Sequence, residues 1–151
     1  MATIRVQAQD FDLAAEADML TRGRTDVGAV VAFCGLCRDE QGRVGALEIE
    51  HYSGMAEAEM ARVALAAEKR WPLQGATLIH RYGAIAPGER IVLVVAAAAH
   101  RRDAFAAAEF LMDYLKTAAP FWKRLRRPDG ALDEWIDAKA EDDAAARRWG
   151  A

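Results

Sequence analysis

Ile91 to Ala99 is an unbroken apolar run, Ile-Val-Leu-Val-Val-Ala-Ala-Ala-Ala, that passes directly into His-Arg-Arg-Asp at 100–103. It falls well short of the roughly 20 apolar residues of a membrane span and reads as a buried strand. Behind it the spacing turns helical, with Ala104, Phe105, Ala108, Leu111, Met112 and Leu115 as core positions. Pro120 cannot continue that helix. A buried strand feeding straight into a core-facing helix restricts the chain to mixed α and β architecture.

The rest of the pattern alternates in the same way. Ile4, Val6 and Ala8 alternate with polar residues as a half-buried strand does, and Asp12 opens a helix to about Thr21 with Leu13, Ala14, Ala17 and Leu20 on one face. Residues 28–34 form a second strand. A polar loop from Leu36 to Gly45 leads to a strand over 46–52, and Met55 to Trp71 is helical, with Met60, Val63, Ala64, Ala67 and Trp71 as its stripe. A strand over 76–82, a turn over 83–88 and the apolar strand follow. Past Pro120 the chain runs extended, turns at Pro128-Asp129-Gly130, returns through Leu132 to Ile136, and ends in a short helix from about Glu141 to Trp149. No repeat or linker interrupts it, so residues 1–151 are expected to form one domain.

With 53% hydrophobic and 28% charged residues and a net charge of −3, the chain has no global attraction to nucleic acid or anionic membrane. It begins without a signal-like apolar segment, and the expected location is the cytoplasm.

Cationic side chains concentrate locally instead. His100, Arg101 and Arg102 stand where a helix begins, a position that favours anions; Lys116 stands at that helix's far end, and Lys123 follows Pro120-Phe121-Trp122. Arg38 leaves the end of another strand. A phosphate or carboxylate clamped between Arg38 on one side and His100 and Arg101 on the other suits arginine's bidentate fork. The apolar wall at 120–122 would desolvate an ammonium and lower its pKa into a range useful for nucleophilic or acid–base work.

Cys34-Gly35-Leu36-Cys37 has redox or zinc spacing, but a charged loop follows it rather than a helix, and His51, His80 and His100 are scattered without ligand spacing. The pair is read as incidental, with Cys37 accessible and its pKa lowered by Arg38. His51 and His80 are read as ordinary strand histidines. From the residues alone, three readings stay open: an enzyme, a binding module that captures a protein C-terminus or small phosphorylated ligand, and a redox or zinc protein.

At these positions the chain resembles the catalytic, or large, subunit of molybdopterin synthase. The resemblance is carried by 28–38, by Leu-Glu-Ile-Glu-His-Tyr-Ser-Gly-Met-Ala at 47–56, by the turn 80–88, and most specifically by His100-Arg101 with Ala104-Phe105 and by Lys116 with Pro120-Phe121-Trp122-Lys123. It implies an α+β fold of the hammerhead type with additional antiparallel strands. The implied activity is sulfur transfer in molybdenum cofactor biosynthesis, converting a cyclic pyranopterin monophosphate into molybdopterin. The implied sulfur donor is the C-terminal Gly-Gly thiocarboxylate of a small ubiquitin-like subunit, bound at each end of a central homodimer. No cofactor or metal is implied, because molybdenum enters in a later step.

Carried over by position, Lys116 and Lys123 correspond to the catalytic lysines, with Lys116 favoured as the main one, and Arg38, His100 and Arg101 to substrate contacts. Arg124 falls in the same block. Two positions depart from the family pattern: Leu125 replaces a common acidic residue, and Lys139 stands where an arginine is thought to reach the neighbouring subunit's site.

Overall fold

In a computed structural model, which describes residues 2–117, 119–136 and 140–150, four strands form one sheet and three form another. The elements in chain order are β1 (Ala2–Gln7), α1 (Leu13–Thr21), β2 (Ala29–Leu36), β3 (Ala46–His51), α2 (Met55–Arg70), β4 (Leu73–Arg81), β5 (Gly83–Ile85), β6 (Arg90–Ala98), α3 (Arg101–Thr117), β7 (Phe121–Arg126) and α4 (Ala140–Arg147). The larger sheet runs β1-β4-β6-β2 and the smaller β5-β3-β7. β1 lies parallel to β4, and the other pairings are antiparallel, as the implied α+β fold with additional antiparallel strands requires.

The apolar run becomes β6, a central strand buried almost throughout because it is covered on both faces. On one face α2 and α3 supply Met60, Val63, Ala64, Ala67, Ala107, Phe110 and Leu111; on the other, α1 and Phe11 close over Ile79, Leu93 and Val95. Asp12 caps α1, its carboxylate accepting from the Ala15 N–H at 3.0 Å. Buried Arg81 ties β1 and β6 to β4 by donating to the carbonyls of Ala8 and Arg90 at 3.0 and 2.9 Å. The smaller sheet has its own core of Cys37, Val44, Ile49 and Ile85.

Three expectations change. Phe105 is 62% exposed rather than in the core, and Phe110 is buried in its place. The inward stripe of α3 runs through Ala104, Ala107, Ala108, Leu111 and Leu115, and Phe105 lies one helical step, about 100°, off Ala104. Ala14 is likewise exposed on α1, whose inward residues are Leu13, Ala17 and Leu20. The expected turn after β4 contains a strand, β5, which pairs with β3 through Leu47 and Ile85. Among the described residues no helix is long and apolar enough to cross a membrane.

Candidate active site

Two of the expected cations meet. β7 presents Phe121, Lys123 and Leu125 on its inner face, opposite His51, Ile49 and Leu47 of β3. Phe121 lies flat against His80 at the end of β4, with ring centroids 3.8 Å apart and planes 14° apart, so the smaller sheet is seated on the end of the larger one. Lys123 is thereby directed into a cleft with Lys116 from the last turn of α3, closed by His80, Phe33, Leu36, Ile91, Met112 and Leu115.

The two lysines differ in environment. Lys123 is partly buried and Lys116 exposed. Burial, reinforced by Lys116 and opposed by Asp142, lowers Lys123 to about 8. The desolvated lysine expected beside an apolar wall is thus Lys123, and its wall is Phe121 with His80. Trp122 points to the outer face, edge-on to Tyr52 at 4.6 Å. Neither lysine forms an ion pair among the described residues, which leaves two cationic groups available to an anion.

His80 is the site residue that strand alternation concealed. It is 4% exposed, and its Nδ1 lies 2.8 Å from the Arg81 carbonyl, which can only accept, so Nδ1 carries the hydrogen. Burial, with the charge of Lys123, lowers its pKa to about 3 and keeps the ring neutral. Only its position over Phe121, a tertiary contact, identifies it.

The remaining cations are not brought together within one chain. β2 is antiparallel to β6, with Ala29 opposite Ala98 and Leu36 opposite Arg90. The expected clamp of Arg38 with His100 and Arg101 therefore fails within one chain: the two ends of β2 lie roughly 23 Å apart at 3.3 Å per residue. Lys116 is likewise roughly 22 Å along α3 from Arg101, at 1.5 Å per residue. Arg38 stands near the lysine end, exposed in a loop organised by Asp39, whose carboxylate accepts from the N–H groups of Gly42 and Val44 at 3.1 and 3.3 Å. Its 3.8 Å contact with Glu40 is an exposed pair of small energetic weight. His100, Arg101 and Arg102 line an open groove beside Gly28 at the other end. The backbones cross there so closely that a Cβ on Gly28 would sit 2.1 Å from the Ala99 carbonyl oxygen.

Arg124 faces away from the lysines because side chains alternate along β7. Its guanidinium lies 4.3 Å from the centroid of the Trp135 ring, and its buried Nε has no hydrogen-bond partner among the described residues. Leu125 packs inward against the smaller core, so an apolar residue suits that position. Lys139 lies outside the described residues. Cys37 is buried at 4% exposure, and burial raises its pKa, against the expectation of an accessible, acidified thiol. Cys34 packs in a different core cluster, and burial raises it too. Among the described residues no group of three or more His, Cys, Asp and Glu could hold a metal ion.

Comparison with known proteins agrees with this architecture. A family model described as MoaE protein matches residues 6–118. The molybdopterin synthase catalytic subunit of Mesorhizobium japonicum is 65% identical over 97% of this chain and 92% of its own length. That of Cereibacter sphaeroides is 51% identical over 97% of this chain and 99% of its own length. Among solved structures, the molybdopterin biosynthesis MoaE protein of Burkholderia ambifaria superposes with a TM-score of 0.85 at 48% identity, covering 100% of this chain and 99% of that one. The molybdopterin synthase of Staphylococcus aureus gives a TM-score of 0.79 at 25% identity over 87% of this chain and 95% of that one. With the family model matching residues 6–118 and the fold and nearly the full length shared with these relatives, the chain belongs to the MoaE protein family.

Proposed function

We infer that the chain is the catalytic subunit of a molybdopterin synthase, a sulfurtransferase that acts in the cytoplasm with a small ubiquitin-like subunit. The observation that carries this is the convergence of Lys116 and Lys123, neither in an ion pair, on one apolar-walled cleft. The partner's C-terminal thiocarboxylate and the phosphate of the cyclic pterin both bring negative charge to it. The thiocarboxylate sulfur forms a C–S bond to a pterin carbon as an oxygen leaving group departs from that carbon, and water then hydrolyses the resulting thioester, leaving the sulfur on the pterin and freeing the partner as its carboxylate; the departing oxygen and the tetrahedral oxyanion both develop negative charge, which an adjacent ammonium stabilises. Lys123 takes the principal role, because the low dielectric around it strengthens that stabilisation and its pKa lets it return a proton near neutral pH. Lys116 and Arg38 hold the substrate anion.

His100 and Arg101 enter the same reading through a second copy of the chain. β2 is an edge strand without a charged residue, and Val30, Phe33 and Leu36 on it are 38%, 42% and 56% exposed. An edge of this kind invites pairing. Pairing β2 antiparallel with β2 of a second copy sets Gly28 and His100 of one chain beside Leu36 and the lysines of the other, and covers Phe105, which shares a helical stripe with Met112 and Lys116. Each lysine cleft then receives His100 and Arg101 from the neighbouring copy. The decisive experiment mixes the protein with a thiocarboxylated small subunit and the cyclic pterin monophosphate: dithiolene product is expected, and its absence with a demonstrably thiocarboxylated partner would overturn the assignment.

A further inference from the structure

The lysine cleft holds only about 80 Å³, whereas open grooves elsewhere on the surface hold about 300 to 670 Å³. A fused-ring ligand needs a pocket of roughly 300 Å³ or more, so the interior of the cleft suits an extended chain end better than a pterin. Gly35 lines this cleft near the end of β2. Its φ lies outside the left-handed region, so the backbone there would admit other residues, and glycine supplies only the absence of a side chain. A Cβ on Gly35 would come within 2.8 Å of Val92 Cγ1 and 3.5 Å of Phe33 Cε1, and both of those residues line the cleft too. Val92 is the residue opposite Gly35 on β6. Gly28 and Gly45 contrast with it. A Cβ on either would strike a backbone carbonyl, of Ala99 or of Arg127, so those two glycines let backbones cross rather than keep a cavity open.

We propose that Gly35 is a specificity-determining residue for the partner: the space its missing side chain leaves between Phe33 and Val92 receives the last residues of the small subunit as bare backbone, so that only a chain end without side chains delivers its sulfur to Lys123. Gly35 takes this role within the functional reading above, which supplies the reaction and the partner. Exposed Lys116 and Arg38 stand toward the outside, where a bulky anionic ring system has room, while Lys123 is partly buried behind the apolar walls. One extra methyl group in a close-fitting apolar pocket is worth roughly 10- to 200-fold in kcat/KM, enough to sort glycine from alanine at a chain end. Selection of this kind acts through volume alone and asks for no hydrogen bond from the side chain at position 35.

The test uses the reconstituted synthase with small subunits thiocarboxylated on tails ending Gly-Gly, Ala-Gly or Gly-Ala. Wild type is expected to lose at least about tenfold in kcat/KM with at least one of the alanine tails. Val92→Ala, which widens the space beside Gly35, should shrink that discrimination at least about threefold, and Gly35→Ala should lower turnover of the Gly-Gly tail about tenfold. Binding separates selection from folding. In calorimetry, a small subunit lacking its last residues should bind wild type and Gly35→Ala equally, whereas the complete tail should bind the variant more weakly. Equal acceptance of all three tails by wild type would overturn the proposal, as would unchanged discrimination in Val92→Ala or full turnover in folded Gly35→Ala. An equal loss of affinity for truncated and complete small subunits in Gly35→Ala would assign Gly35 to the fold alone and overturn it too. A wild-type protein that yields no product with the Gly-Gly tail would instead overturn the functional reading, and with it the partner on which Gly35 acts.

Discussion

Phe121 lies face to face on His80, 3.8 Å between centroids, a stack that packs the smaller sheet against the end of the larger beside the cleft that Lys123 enters. The consequences can be measured through His80 and Lys123.

Lys123→Ala is expected to lower turnover by more than tenfold, over about 1.4 kcal/mol in barrier, while the protein stays folded and binds its small subunit. If the ammonium is the working form, the wild-type rate falls as pH rises through about 8, the value to which burial brings Lys123. Lys123→Arg should move that basic limb upward. Single-turnover rates between pH 6 and 10 check both points, and a basic limb unchanged in Lys123→Arg would show that another group sets it.

Stability should respond to pH in two separate windows. His80 is neutral in the folded chain with a pKa of about 3, while the unfolded chain takes up its proton near 6.5. Its contribution is therefore present above 6.5 and is lost as pH falls from 6.5 toward 3. Lys123 is lowered to about 8 from 10.5, so the cost of burying its charge is present below 8 and relieved as pH rises from 8 to 10.5. Lys123→Met should accordingly stabilise the protein at pH 7 by on the order of 2 kcal/mol. Urea unfolding across pH 4 to 10 in wild type, His80→Gln and Lys123→Met should show each slope disappear in the matching variant.

Complementary inactive subunits should rescue one another. If each cleft takes Arg101 from the second copy, a dimer of one Lys123→Ala chain with one Arg101→Ala chain holds one intact cleft and one doubly defective cleft. Random mixing then returns about a quarter of wild-type activity, half the dimers being mixed and half their sites intact. Activity no greater than the sum of the two parents would show that Arg101 of the second copy does not complete the lysine cleft. Phe33→Asp on the β2 edge should separate the copies in sedimentation velocity and lower activity with them.

Arg38→Ala is expected to weaken binding of the cyclic pterin monophosphate by about 1.5 to 3 kcal/mol, with the difference shrinking at high salt. Arg124→Ala should leave that affinity nearly unchanged and reduce stability by about 0.5 to 1 kcal/mol, because its guanidinium rests on Trp135 on the opposite face of β7. Calorimetric titration separates the two. Equal affinity losses would mean that Arg124 reaches the cleft.

Cys34→Ser with Cys37→Ser should leave product formation near normal when the small subunit supplies the sulfur. The variant should lose stability by about 1 to 3 kcal/mol, chiefly at Cys37, where a hydroxyl would enter the core of Val44, Ile49 and Ile85. Mass spectrometry during turnover with sulfur-labelled partner is the check: label found on Cys37 would make the pair part of the mechanism.

Local pattern was enough to place β6, α3 and the cap of α1, because an unbroken apolar run, helical spacing and an N-terminal aspartate each act through neighbours along the chain. It also brought forward Lys116 and Lys123 as site residues, since a proline between a helix end and a strand holds the two lysines close in sequence. Whether residues distant in sequence share a site depends on strand direction and on the phase of side chains, and neither is written locally. The antiparallel register of β2 with β6 sent Arg38 and Arg101 to opposite ends of the sheet, and alternation along β7 turned Arg124 away from Lys123. Packing of the two sheets buried Cys37, made Lys123 the desolvated lysine, and gave His80 the place over Phe121 that its strand position concealed.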